Sequence, residues 1–444
     1  MRSLACSAAF VLVVSAAKGA PQTATHAART RIPAELLIGA RFDFKVEFSG
    51  LADPARVSVS INGEDYAKTF GKAATFIERE DGKEQSALLL RDVSLTQPGS
   101  YKIKVTDGAQ SREITWNVYA TGPRQAKNVI LFIGDGMSPA HRIAARLLAK
   151  GIAEGKALGK LAIDDMPHMA LVATAGTDSI ITDSANSASA YATGHKSAVN
   201  AMGVYADRTL NPLDDPKVET ITSLAKRRLG MAVGIVTNTE IEDATPAAMV
   251  AHVRRRSEYD RIVEQYFAAE PDVLMGGGRA NFLPKGAEGA KRKDEVDYLA
   301  RFRDAGYSLA LTGPEMISAA GDPATRRLLG LFTLGNMDGV LDRKFLKGGT
   351  VRKFPEQPDL TEQVSAALAV LSRNEVGFLP NGGIGNDRQI HAPSRHGAGG
   401  LRHDHARQRG PARARLGEHT RRRHADSRSG RSQSPRRTRR HDRG

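Results

Sequence analysis

Cysteine is almost missing from this 444-residue chain: the single one, Cys6, sits near the N-terminus. With one thiol no intrachain disulfide can form, so the mature fold must be held by its core alone. Lysine and aromatic residues are absent from the last stretch, Asn381 to Gly444, which carries 17 arginines and five acidic residues. That stretch therefore holds +12 of the chain's formal +15, and the first 380 residues are nearly neutral at +3. A basic arm can bind polyanions, but one with no aromatic side chain has nothing on which to stack bases. No nucleic acid is expected as a partner. There is no internal repeat, and no apolar run long enough for a membrane helix, which needs about 20 residues.

The N-terminus does carry a short apolar run, about Ala8 to Val14, behind one positive charge and ahead of Ser15, Ala16 and Ala17. This is the layout of a secretory signal over residues 1–20, and it implies a periplasmic or secreted protein with no membrane attachment after cleavage. From about 31 to 120 short runs alternate apolar and polar residues ("FDFKVEFSG", "RVSVSING", "YKIKVTDG", "REITWNVYA"), separated by turns such as Asn62-Gly63 and Asp107-Gly108. The pattern predicts a small β-sandwich, and "QPGSYKIKV" places a tyrosine at a strand entry as immunoglobulin-like sandwiches do. Nothing in it offers chemistry, so its expected role is packing or spacing.

From Lys127 the pattern changes. Buried-type runs ("NVILFIG", "MALVATAG", "MAVGIVTN", "PDVLMGGG") alternate with helical stretches such as "AHRIAARLLAKG" and "PAAMVAHVRRR". Continuous apolar strands between helices predict an α/β fold, a mostly parallel central sheet with helices on both faces, over about 127–380. Ligands of such sheets gather at the carboxyl ends of the strands.

Three stretches could do chemistry there. In "NVILFIGDGMS" a strand runs into Asp135 between two glycines, which suits a hard metal ion or an ordinary turn. In "ITDSANSASAYATGHKS" Ser184 opens a helix where the positive end favours an anion; it is either an N-cap or a nucleophile. No histidine spacing suggests a Ser-His-Asp triad, and His195 reads as a helix-end residue. In "NTEIEDATPAAMVAHVRRR" Thr245 is expected to cap a helix beginning at Pro246, with Asp243 just before it. Arg254, Arg255 and Arg256 would end that helix; one of them could clamp a phosphate, but spacing does not say which.

Together these segments, with "DVLMGGGR" and "LLGLFTLGNMDGVLDRKFLKGGTVRKFPEQPDLTE", resemble the alkaline phosphatases, in that family's order, over about Lys127 to Phe378. The resemblance implies a metal-dependent phosphate monoester hydrolase with two Zn2+ and one Mg2+. By it Ser184 is the nucleophile that becomes phosphoserine and Arg256 holds the phosphate. Asp135 bridges a zinc and the magnesium site, Asp243 and Thr245 belong to the magnesium site, and a homodimer is possible.

The resemblance stops after Leu379 and Pro380. The family continues with a glutamate for magnesium, an aspartate and a histidine for one zinc, and an Asp-His pair for the other, none of which follows here. Back-translating Asn381 to Arg409 and reading one base later can spell MVESGMIDKYTHLLDMERAVYDTIMLDNA, which restores the glutamate and the first Asp/His pair. Likewise Arg428 to Pro435 can shift to VVADHSHP. A frameshift near Leu379 or Pro380 is therefore expected, making 381–444 GC-rich coding sequence read out of frame, with activity lost or impaired. The competing readings are a non-catalytic phosphate-binding protein and a secreted nucleic-acid-binding protein using the basic tail.

Overall fold

The computed structural model describes residues 29–31 and 35–384. The expected signal segment and the Arg-rich stretch from residue 385 lie outside the described residues.

The N-terminal part is a two-sheet sandwich. One sheet orders β1 (Arg29–Arg31), β3 (Phe42–Glu47), β7 (Ala87–Val93) and β6 (Thr75–Ile77). The other orders β2 (Glu35–Leu37), β9 (Ser111–Tyr119), β8 (Gly99–Thr106), β4 (Ser58–Ile61) and β5 (Glu64–Asp65). Asn62 and Gly63 both take positive φ (52° and 86°) in the turn from β4 to β5, the conformation that an Asn-Gly hairpin demands. The Tyr101 hydroxyl donates to the Gln97 carbonyl oxygen at 2.8 Å. In the core the only tryptophan, Trp116, is fully buried, with Phe42 and Phe44 edge-on at 5.5 and 5.6 Å. A short helix, α1 (Tyr66–Phe70), packs Tyr66 and Phe70 against this core.

β3 departs from the half-exposed strand its alternation suggests, because all six of its residues are buried. Phe42, Phe44 and Val46 face the sandwich core. Asp43, Lys45 and Glu47 face the rest of the chain, where each meets a polar partner in the 206–217 loop or beside it. A polar face is thus covered by another polar surface, which the strand's own sequence cannot announce.

The larger part is built on a six-stranded sheet. Its spatial order is β10 (Leu131–Gly134), β17 (Phe378–Ile384), β13 (Ala232–Glu240), β14 (Val273–Gly277), β16 (Leu328–Leu331) and β15 (Ser308–Ala310), every neighbouring pair parallel. A small hairpin, β11 (Ile152–Ala153) with β12 (Lys156–Ala157), stands apart. Alternate residues of the central strands enter two separate cores. Ile235, Leu274 and Leu329 join one with residues of α6 (Tyr259–Ala269) and α7 (Tyr298–Asp304). Val236, Val273, Met275 and Leu328 join the other with residues of α8 (Gly313–Gly321) and α9 (Leu360–Leu371). Both faces are covered, which explains why the strands read as unbroken apolar runs; each such side chain contributes roughly 1.5–3 kcal/mol. The remaining helices are α2 (Pro139–Lys150), α3 (Ser184–Thr193), α4 (Ile221–Leu229) and α5 (Ala244–Ala247).

Three expectations need correction. The run "MALVATAG" forms no strand: Met169 and Leu171 are 87% and 93% exposed. A strand needs a paired neighbour, and β10, the edge strand, has none on its free side among the described residues. The stretch "PAAMVAHVRRR" is not one helix either, because α5 spans only Ala244–Ala247. Beyond it Met249, Val250, Ala251 and Val253 are buried without a solvent face, and Val253 bridges Met202 in an extended pairing. Helical periodicity would have put part of that run in water. Finally, β17 runs through Asn381, so the described strand crosses the boundary drawn there and ends at Ile384.

Candidate active site

The cleft of interest opens at the carboxyl end of β10, where Gly134 hands over to Asp135. Gly136, at φ 69°, turns the chain in the left-handed region, and Ser138 caps α2. The cleft has a volume of about 400 Å³ and is lined by Asp135, Gly136, Ser138, Asp183, Ser184 and Thr245 among others. Asp135 follows the carboxyl end of β10 and Thr245 comes shortly after that of β13, where parallel sheets place their ligands, and α3 supplies the other wall.

α3 starts here for local reasons. Asp183 is its N-cap, accepting from the Asn186 N–H at 3.0 Å, while the Asn186 side chain accepts from the Asp183 N–H at 2.9 Å. This reciprocal pair closes the first turn, Ala-rich sequence carries the helix, and Gly194 ends it at φ 77°. Ser184 is therefore not the cap; it is the first helical residue, and its hydroxyl is left to face the cleft. His195 lies just beyond the helix end, with its ring 6.1 Å from that of Tyr205. Burial pushes its pKa down to about 4, so it is neutral at ordinary pH.

α5 is set the same way. Asp243, not Thr245, is the N-cap, its carboxylate accepting from the Ala244 N–H at 2.8 Å. That leaves the Thr245 hydroxyl free to donate to Asp135 Oδ2 at 2.9 Å across the cleft. Aspartate outcompetes threonine as a cap, so the hydroxyl goes elsewhere.

Of the three consecutive arginines the structure brings one to the site. An Nη of Arg256 lies 2.7 Å from Ser184 Oγ and 3.3 Å from Asp183 Oδ2; the other Nη lies 2.5 Å from Asp243 Oδ1. Burial would lower its pKa, but Asp243 and Asp183 overcome this and raise it, so the guanidinium is a permanent cation. Arg254 instead donates to the Val199 carbonyl at 2.9 Å, and Arg255 is exposed. Asp135, Ser184, Asp243, Thr245 and Arg256 thus form one connected set. Sequence reasoning passed over Asp183 as a site residue; its signal was the Asp-x-x-Asn capping spacing directly before the serine.

The donors are all oxygen: two carboxylates and two hydroxyls, a set suited to a hard ion such as Mg2+. No histidine or cysteine lines the cleft, so among the described residues the set does not fit two zinc ions, which favour nitrogen and sulfur.

The alkaline phosphatase family model matches residues 126–399, so the match runs past Pro380, where the sequence was expected to leave the family. The alkaline phosphatase of Escherichia coli (strain K12) is 34% identical over 310 residues, covering 61% of this chain and 62% of that protein. The tissue-nonspecific isozyme of Gallus gallus is 32% identical, covering 57% of this chain and 54% of that protein. Among solved structures, Thermus thermophilus alkaline phosphatase superposes with a TM-score of 0.48 at 29% identity, covering 59% of this chain and 50% of that one. The chain therefore spans less than two thirds of the length of these relatives. No helix among the described residues is long and apolar enough to cross a membrane. On the match of well over half its length and the assembled site, this chain belongs to the alkaline phosphatase family.

Proposed function

We propose that this chain carries the nucleophile half of a phosphate monoester hydrolase that works through a phosphoserine at Ser184. The observation that carries the reading is the hydroxyl of Ser184, first residue of a helix, 2.7 Å from a guanidinium Nη of Arg256. A phosphate ester in the cleft would meet the positive end of α3 and a planar cation able to bind two of its oxygens. Ser184 Oγ attacks phosphorus and the alcohol leaves; a water then attacks the phosphoserine and frees phosphate. Arg256 would exchange its bond to Asp243 for one to phosphate, and Asp183 would hold its other edge. Asp135, Asp243 and Thr245 would hold Mg2+, which when bound supplies positive charge beside the reacting group. No step is assigned to zinc, whose ligands are not assembled among the described residues.

We also propose that the coding sequence is shifted near Leu379 or Pro380, and that catalysis needs the residues so lost. Supporting this, Pro380 and Asn381 occupy the middle of β17, between β10 and β13. Proline has no N–H for a ladder and is rarely found in a central strand. Asn381 is 2% exposed with both amide atoms unpartnered. The exposed apolar run along Met169, Leu171 and Val172 is a surface further strands would cover. Export to the periplasm or medium follows from the N-terminal segment. A homodimer is part of the same reading.

The test is to express the chain as written and a gene with one base removed near codon 380. The repaired protein should hydrolyse aryl phosphates at alkaline pH with zinc and magnesium supplied, while the written chain falls short by two or more orders of magnitude, roughly the loss of one oxyanion donor or worse. Ser184→Ala in the repaired protein should abolish the phosphoenzyme. Full activity of the written chain would refute the shift; a folded but inactive repaired chain would refute the enzyme reading.

A further inference from the structure

A second polar cluster lies away from the cleft, where the 206–217 loop packs on the sandwich. Asp207, Asp214 and Asp215 each present a carboxylate oxygen, all within 4.8 Å of one another. Asp215 is 2% exposed. Its Oδ1 accepts from the Asp207 N–H at 2.9 Å, while its Oδ2 is buried with no partner.

The surroundings do not neutralise this group. Lys45 lies 2.5 Å from Asp207 Oδ2 and 2.6 Å from Glu80 Oε1. Arg208 binds Glu80 at 2.7 Å, and Arg91 binds Asp43 at 2.6 Å. Arg254 adds a favourable charge at Asp215. Against these four cations stand five carboxylates, those of Asp43, Glu80, Asp207, Asp214 and Asp215, three of them buried. Burying an uncompensated carboxylate costs several kcal/mol unless a proton or a cation meets it. Lys45 uses only part of Asp207, since a carboxylate offers about four lone-pair directions.

We propose that Asp207, Asp214 and Asp215 form a binding site for a hard divalent cation of the calcium class at the junction of the sandwich and the α/β body. The ligands are oxygens alone, which disfavours zinc and other softer ions. Three adjacent carboxylates in an irregular loop suit calcium, which takes 6–8 oxygen ligands in loose geometry, better than magnesium, which keeps its waters around one or two carboxylates. The Thr209 hydroxyl, 2.7 Å from Asp207 Oδ1 and 2.8 Å from Asp214 Oδ1, orients two of the three. The site also reaches toward the cleft. The carbonyl of Pro212, in the same loop, accepts from the Arg254 N–H at 2.8 Å, two residues before the phosphate-facing Arg256. A cation here would tie the sandwich to the segment that positions that arginine, which gives the sandwich a task beyond spacing.

The test uses the full chain carrying Asp135→Asn, Asp183→Asn and Asp243→Asn, which removes the carboxylates in and beside the cleft. Equilibrium dialysis with calcium should find about one ion per chain in this background. Calcium should raise the thermal midpoint, and magnesium at equal concentration should do so far less. Adding Asp215→Asn should weaken calcium binding at least roughly tenfold, since affinity follows ligand charge; Asp214→Asn is read instead if that variant does not fold. No calcium uptake in the stripped background, or uptake indifferent to these substitutions, would overturn the proposal and leave Lys45 as the resident counter-charge. An equal response to magnesium would overturn the calcium assignment.

Discussion

Asn381→Val should make this protein more stable, an unusual expectation for a buried position in a central strand. The side chain packs at a small apolar pocket lined by Ile130, Phe132, Val236, Val364 and Leu368, with no polar partner for its amide oxygen or nitrogen. Each buried polar group left unmade costs about 1–3 kcal/mol. Valine removes both, suits a central strand, and adds some apolar burial. The net gain expected is about 2–4 kcal/mol, a sizeable fraction of the 5–15 kcal/mol typical of a domain. Urea unfolding followed by far-UV circular dichroism is the assay, because it reports the α/β body, whereas Trp116 fluorescence reports the sandwich. The midpoint should rise with the slope unchanged, the sign of altered stability rather than altered compactness. Pro380→Val should add a smaller gain, about 0.5–1.5 kcal/mol, by restoring a ladder donor beside Gly234. Loss of stability in Asn381→Val would mean that the amide is satisfied and the strand is optimised as it stands, and the argument for a shifted frame from this strand would fall.

Two further perturbations probe the charges. Lys45→Met removes the ammonium shared by Asp207 and Glu80 and strands Asp207, while Glu80 keeps Arg208, so the sandwich should lose about 3–5 kcal/mol, seen in Trp116 fluorescence during denaturation; an unchanged midpoint would refute the view that Lys45 compensates a buried charge. His195 is held near 4 in the fold against about 6.5 in an unfolded chain. The folded value is the lower one, so its share of stability is present above about 6.5 and is lost as pH falls from there toward 4. His195→Gln should flatten stability across that window in urea titrations, and an unaltered pH profile would refute the assignment.

The fold was legible where burial repeats along the chain. Ile235 and Val236 serve opposite cores, so β13 shows an unbroken apolar run, and strands and helices follow in order. It was illegible where burial depends on a distant segment. Asp43, Lys45 and Glu47 read as a wet face, yet each has a partner 161 to 174 residues on, in or beside a loop with no pattern of its own. The run after Ala247 reads as helix from its spacing of Val and Ala, but it is enclosed on all sides and turns back to meet Met202. Periodicity reports only one wet and one dry face, so it fails for a segment that has no wet face.

The same turn explains which part of the site escaped the sequence, and it supplies a sharp test. In a helix, consecutive arginines would fan out about 100° apart and any one could face Ser184. In the observed loop each has a separate fate, so alanine substitution should separate them by kind of effect. Arg256→Ala removes the cation at 2.7 Å from Ser184 Oγ, and takes the guanidinium away from both Asp183 and Asp243. Losing a charge-assisted bond to an anion and exposing it to two carboxylates should weaken inorganic phosphate binding by at least about 1.5–3 kcal/mol, some 10- to 100-fold by calorimetry, with little change in the unfolding midpoint. Arg256→Lys should recover only part of this, because an ammonium cannot hold two phosphate oxygens in the plane of a guanidinium. Arg254→Ala gives up the bond to the Val199 carbonyl and a charge near Asp215, so it should lower stability while phosphate binding falls little. Arg255→Ala, at an exposed position, should do neither. If Arg255→Ala or Arg254→Ala weakens phosphate binding as much as Arg256→Ala, the phosphate-facing role belongs to the cluster's charge and not to one positioned side chain.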